Sequence, residues 1–77
     1  MKTLLEVLAK SLVDNPEAVS INEISSDHSI ILELKVDKAD MGKVIGKQGR
    51  IAKAIRTVVK AAAVKENKRV VVEIIES

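Results

Sequence analysis

The chain contains no phenylalanine, tyrosine, tryptophan or cysteine, and these absences remove several classes of function before any motif is considered. Without exposed rings there is no platform on which bases could stack as they do on the aromatic sheets of RRM and OB-type surfaces. Without thiols there is no disulfide and no thiolate metal site, a composition compatible with a reducing compartment. The core must therefore be assembled from Val, Ile, Leu, Ala and Met, within a chain that is 47% apolar. Seventy-seven residues fit one domain over 1–77, because a chain of this size buries only about 60% of the surface it exposes when unfolded. The opening run Met1-Lys2-Thr3-Leu4-Leu5-Glu6 is too polar and too short for a signal peptide or a membrane span. A cytoplasmic protein with no membrane partner is the expectation.

Acidic residues are missing from one long stretch. Between Met41 and Lys65 there is none, while Lys43, Lys47, Arg50, Lys53, Arg56, Lys60 and Lys65 are all basic. The net charge of +2 thus combines −4 over residues 1–40 with +6 over residues 41–77. Such an asymmetry points to a polyanionic partner for the second half, the plainer reading being a helix that solvates one face with cations.

Leu4, Leu5, Leu8 and Leu12 fall at helical spacing and predict an amphipathic helix over 3–13, ended by Asp14-Asn15-Pro16. Residues 18–25 read as a strand in which Val19 and Ile21 alternate and Ile24 breaks the register at a bulge. Ser25-Ser26-Asp27-His28 suits a turn, and Ile30, Leu32, Leu34 and Val36 then alternate cleanly as a second strand. Asp37 or Asp40 can cap a short helix over about 40–45. Beyond Gly46–Gly49, the residues Ile51, Ile55, Val58, Val59 and Ala62 predict the core face of a long helix running to about Val64. Arg50, Lys53, Arg56 and Lys60 share its opposite side. Val70 to Ile75 is a β-branched final strand. Strand, helical excursion, strand implies a parallel pair, whereas the two strands joined by a short turn should be antiparallel. The expected fold is α+β in the order α-β-β-α-α-β, a mixed three-stranded sheet with three helices on one face.

The run Asp40-Met41-Gly42-Lys43-Val44-Ile45-Gly46-Lys47-Gln48-Gly49-Arg50-Ile51 carries the functional signal. Glycine permits a sharp turn and close approach of a ligand backbone. A glycine turn that opens a helix also presents free amides and the positive end of the helix dipole, to which phosphate oxygens are suited. A Walker loop needs four residues between its glycines and a following Lys-Ser or Lys-Thr, and a dinucleotide fold needs Gly-x-Gly-x-x-Gly directly after a strand. Neither pattern is present.

Val44-Ile45-Gly46-Lys47-Gln48-Gly49-Arg50-Ile51, with Ile55 following, resembles the signature of a KH domain. The element order is similar to the bacterial, type II arrangement. Size and the Gly42–Lys47 stretch resemble the small single-domain RNA-binding proteins of the KhpA family. The resemblance implies binding of about four nucleotides of single-stranded RNA or DNA, with the loop clamping the backbone. It implies that Gly46 and Gly49 admit that backbone, that Lys47 and Gln48 reach its phosphates, and that Lys43 and Arg50 add charge. It also implies that Val44 or Ile45 floors an apolar groove whose other edge is the second strand. Family members are similar in forming homodimers, in pairing with a larger KH protein (KhpB), and in being linked to an RNA-chaperone role and to cell-envelope and cell-length control.

The remaining residues carry plainer readings. Gly42 suits close packing of the short helix, His28 a solvated turn, and Lys53, Arg56 and Lys60 a solvated helix face. Ala54 and Ala61, beside Val58, offer a small-residue seam for self-association, although alanine is also simply the best helix former. No Ser-His-Asp, Cys-His or metal-spaced cluster occurs, so neither catalysis nor a cofactor is expected. Single-stranded RNA binding through the Gly-x-x-Gly loop is the leading reading. A protein–protein adaptor with little RNA affinity is the alternative.

Overall fold

The computed structural model describes residues 1–76. Helix α1 (Lys2–Leu12) is followed by strands β1 (Ser20–Ser25) and β2 (Ser29–Val36). Helices α2 (Met41–Ile45) and α3 (Arg50–Lys65) then precede strand β3 (Arg69–Glu76). Single 3-10 turns at Pro16–Ala18, Lys38–Asp40 and Lys47–Gly49 join them. This is the α+β arrangement expected from the sequence.

The sheet order is β1-β2-β3, with β1 antiparallel and β3 parallel to β2. The β1–β2 hairpin is closed by the Ser26 amide donating to Ser29 O at 2.8 Å. Its register runs without interruption from Ser20↔Lys35 to Ser25↔Ile30, so no bulge forms at Ile24. Ile24 instead lies opposite Ile31 on the side of the sheet that Ile21 does not share, and it is exposed. The apolar residue that broke the alternation is on the outer face, which needs no extra residue in the strand.

One core holds the fold together. Leu32, Leu34 and Val36 from β2, Val70 and Val72 from β3 and Ile21 from β1 meet Leu5 and Ala9 of α1, Val44 of α2, and Ile55, Val59 and Ala63 of α3. Alternate strand residues enter it, as the two-residue period of a pleated strand requires. The three helices therefore cover a single face of the sheet.

The buried stripe of α3 is rotated from its expected position. Ala52, Ile55, Val59 and Ala63 are buried, whereas Val58 is 45% exposed and Ile51 and Ala62 are half-buried. Two neighbouring apolar stripes on one helix both satisfy a 3.6-residue period, and the loop decides between them. Ile51 is drawn back onto Gly46, which turns the smaller Ala52 inward. Among the described residues no helix is long and apolar enough to cross a membrane.

Candidate nucleic-acid interface

The turn between α2 and α3 is built from backbone conformations that few residues tolerate. The Gly46 amide closes α2 by donating to Gly42 O at 2.8 Å, and Gly46 itself has φ +75° and ψ 174°. Gln48 (φ 58°) and Gly49 (φ 73°) follow in the left-handed region, and the Gly49 amide returns to Gly46 O at 3.2 Å. The two glycines are required for different reasons. A β-carbon on Gly46 would stand 2.5 Å from Ile51 Cγ1, so packing and φ together exclude a side chain there. A β-carbon on Gly49 would meet nothing within 4 Å, which leaves its φ as the constraint and an open surface beside it.

That open surface is cationic. Lys47, Gln48 and Arg50 are exposed, with Arg50 Nη2 donating to Gln48 Oε1 at 3.4 Å. Gly49 stands at the N-cap of α3, and no side chain caps that helix. The sixteen-residue helix thus turns the positive end of its dipole towards the loop. Among the described residues, no carboxylate forms an ion pair with Lys47, Arg50 or Lys53. Gly42 is also open, with nothing within 4 Å of a β-carbon built on it. The close packing expected there is not found.

Lys43 stands apart from the other cations. Its ammonium pairs with the Asp14 carboxylate and lies 3.6 Å from Asp40 Oδ1. Asp40, only 2% exposed, does not cap α2. It accepts the backbone amides of Asp14 and Asn15, both at 3.1 Å. The hydrogen bond from the Asp14 amide is the main reason its carboxyl lies below the ordinary 3.8, with the Asn15 amide and Lys43 adding to it against the opposing effect of burial. Lys43 is held above its ordinary 10.5, chiefly by its hydrogen bond to Asp14. Asp37 does not cap α2 either; it caps the 3-10 turn Lys38–Asp40, its Oδ1 accepting the Ala39 amide at 3.0 Å while its Oδ2 accepts Asn15 Nδ2 at 3.3 Å. The end of α1 is thereby laced to the segment that carries the glycine turn. Sequence spacing gave no hint of this latch, because Asp14 and Asp40 are 26 positions apart.

The expected apolar groove needs two corrections. Val44 is fully buried in the core, so of the pair Val44 and Ile45 only the half-buried Ile45 retains surface. β2 is the central strand, hydrogen-bonded on both sides, and has no free edge. The edge beside α3 belongs to β3, where Arg56 Nε donates to Val72 O at 3.3 Å. Arg56 is thus tied to the sheet and is not simply part of a solvated stripe.

A second exposed feature lies between α1 and α3. Leu8, Leu12, Ala54, Ile55 and Val58 line a shallow apolar cleft of about 300 Å³. Ala54 and Val58 of the expected seam border it, and Ala61 does not. Among the described residues, no group of three His, Cys, Asp or Glu is placed to hold a metal ion.

The family model described as KhpA/KhpB, KH domain, matches residues 2–74. The chain is 76% identical over 75 residues to the RNA-binding protein KhpA of Clostridium perfringens, covering 97% of this chain and all of that one. It is 51% identical over 76 residues to the RNA-binding protein KhpA of Aquifex aeolicus, covering 99% and 96% of the two chains. Among solved structures, it resembles Era, crystallised with MgGDPNP and nucleotides 1506–1542 of 16S ribosomal RNA. That match has a TM-score of 0.66 at 18% identity and covers 95% of this chain and 28% of that one, a likeness of fold. The chain belongs to the KhpA/KhpB family of KH domains.

Proposed function

We propose that this protein binds single-stranded RNA, gripping the sugar–phosphate backbone at the Gly46–Gly49 turn. The reading is carried by an exposed, uncapped glycine turn whose neighbouring cations Lys47 and Arg50 have no carboxylate partner among the described residues. High identity to proteins named as RNA-binding supports it. Gly49 leaves room for the strand, and Lys47 offers a point charge. Arg50 offers a planar fork that matches two phosphate oxygens, and Gln48 adds a neutral donor. Lys43 contributes less, because Asp14 and Asp40 already compensate its charge. Ile45 supplies the apolar contact available to a base. Binding of this kind suits an RNA chaperone or post-transcriptional regulator in the cytoplasm.

Each phosphate contact adds roughly −0.7 to the slope of log K against log salt for a single strand. Replacing Lys47 and Gln48 with Asp should abolish RNA binding and leave the fold intact, since both side chains face solvent. If the double variant bound RNA as tightly as the parent, this assignment of the loop would be wrong.

Self-association through the α1–α3 cleft is the second reading, favoured by the 45% exposure of Val58. A homodimer would raise avidity through effective concentration. A larger KhpB-type partner is the other occupant that the family suggests. Sedimentation without RNA should show a complex that Val58→Asp disrupts and the loop changes do not.

A further inference from the structure

A cleft lies far from the glycine turn, at the C-terminal end of α3. It measures about 770 Å³, and His28, Ser29, Lys60, Asn67, Lys68 and Arg69 supply its polar lining. Among the described residues, no carboxylate lines it. Three basic side chains, Lys60, Lys68 and Arg69, stand there, and none forms an ion pair among the described residues. Asp27 and Glu66 belong to the two adjoining turns, but neither reaches the cleft wall.

Three separate parts of the chain bring these groups together. The turn after α3 is closed by Asn67 in the left-handed region (φ 57°), and the Arg69 amide then donates to His28 O at 2.9 Å. The β1–β2 hairpin is thereby fixed against the start of β3. Lys60 stands on the facing stretch of α3.

Cations near a helix C-terminus commonly offset the negative end of its dipole. Here two of the last carbonyls already have backbone donors. Ala63 O accepts the Glu66 and Lys68 amides at 3.0 and 3.1 Å, and Val64 O accepts the Asn67 amide at 3.1 Å. Those two carbonyls are therefore satisfied without the side chains of Lys60, Lys68 or Arg69. An uncompensated cationic concavity repels itself, and an anion entering it relieves that repulsion.

From this juxtaposition we infer that the cleft is a second phosphate-binding site, which takes the backbone of the same RNA strand several nucleotides beyond the glycine turn. The inference rests on the RNA-binding reading above and extends its footprint. Arg50 and Ala63 are thirteen residues apart on α3, a separation of about 20 Å at the helical rise. A stacked strand advances roughly 3.4 Å per nucleotide, so about six nucleotides bridge the two ends. A five-nucleotide RNA at the loop stops short of the cleft, whereas a twelve-nucleotide RNA spans both.

The test compares those two lengths by fluorescence anisotropy over a salt series, using the full chain with Lys60→Gln, Lys68→Gln and Arg69→Gln combined. For the twelve-nucleotide RNA we expect at least tenfold weaker binding and a salt slope shallower by about 1.4–2.1, for two or three lost contacts. For the five-nucleotide RNA we expect a change of less than twofold. The charge-preserving set Lys60→Arg, Lys68→Arg and Arg69→Lys should retain parental behaviour, and circular dichroism should show all variants folded. Independently, the amide resonances of Asn67, Lys68 and Arg69 in the parent should shift with the longer RNA and not with the shorter one. Equal weakening at both lengths would indicate a general field and overturn the inference, as would no effect at either length. If loop-dependent binding of the short RNA persists while the long RNA ignores the cleft, only the second site falls. If the parent binds neither RNA, both readings fall.

Discussion

Gly46 and Ile51 are in such close contact that Ile51 Cγ1 lies 2.5 Å from the point a β-carbon on Gly46 would occupy. The contact lets the chain leave α2, turn, and enter α3 within a few residues. Gly46→Ala should cost roughly 3 kcal/mol, from backbone strain together with overlap against Ile51. Gly49→Ala, at φ 73° but in open space, should cost about 1 kcal/mol, for strain alone. Urea denaturation should reveal that difference. Pairing Gly46→Ala with Ile51→Ala should shrink the excess, since the smaller side chain removes the overlap.

The Asp40 latch has a definite pH signature. Its carboxyl lies below the ordinary 3.8 when folded, so the unfolded chain binds the proton more readily. The stabilisation is present above the ordinary value and is lost as pH falls through the lower folded value. Lys43, held above 10.5, behaves oppositely: its contribution is complete below 10.5 and disappears as pH rises beyond the folded value. Asp40→Asn should lower the thermal midpoint at neutral pH and flatten the acid limb of the stability curve below about pH 4. A variant with an unchanged acid limb would show that the latch is energetically silent.

Lys43 and Lys47 should separate in an RNA titration, although both flank the same turn. Lys47→Ala should reduce the salt slope by roughly 0.7, the value for one phosphate contact. Lys43→Ala should change it by less than half as much, because Asp14 and Asp40 already balance that ammonium. Its effect should be seen in the thermal midpoint instead.

The core tolerates little. Leu34→Ala, at a fully buried position of the central strand, should cost about 2–5 kcal/mol. A domain of this length has a total stability of only about 4–12 kcal/mol. Calorimetry should therefore show a large fall in the midpoint, whereas the Lys47→Asp and Gln48→Asp pair should barely move it.

Much of this architecture is legible because local rules suffice for it. The even alternation of Ile30, Leu32, Leu34 and Val36 can bury only one face of a strand, and those four residues are the ones buried in β2. Gly46 and Gly49 mark positive φ, and both adopt it. Rules of this kind fail where two local solutions are equally good. Val58 and Ala62 match the helical period as well as Ala52 and Ala63 do, and the contact of Ile51 with Gly46 selects between the stripes. The apolar Ile24 reads equally as a bulge or as an outward residue, and pairing with Ile31 decides.

The order of elements, the parallel and antiparallel strand pairing and the place of the glycine turn follow from residues close together in the chain, whose periodicity and backbone freedom are local properties. Which cations remain free to meet an anion does not. Lys43 is neutralised by Asp14, from a different part of the chain, and Arg56 is tied to the edge of β3. Lys60 joins Lys68 and Arg69 around a cleft that exists only once the hairpin is docked. Coulomb and hydrogen-bond interactions act over a few ångströms of space regardless of sequence separation, so only the folded chain settles the partners of each charge.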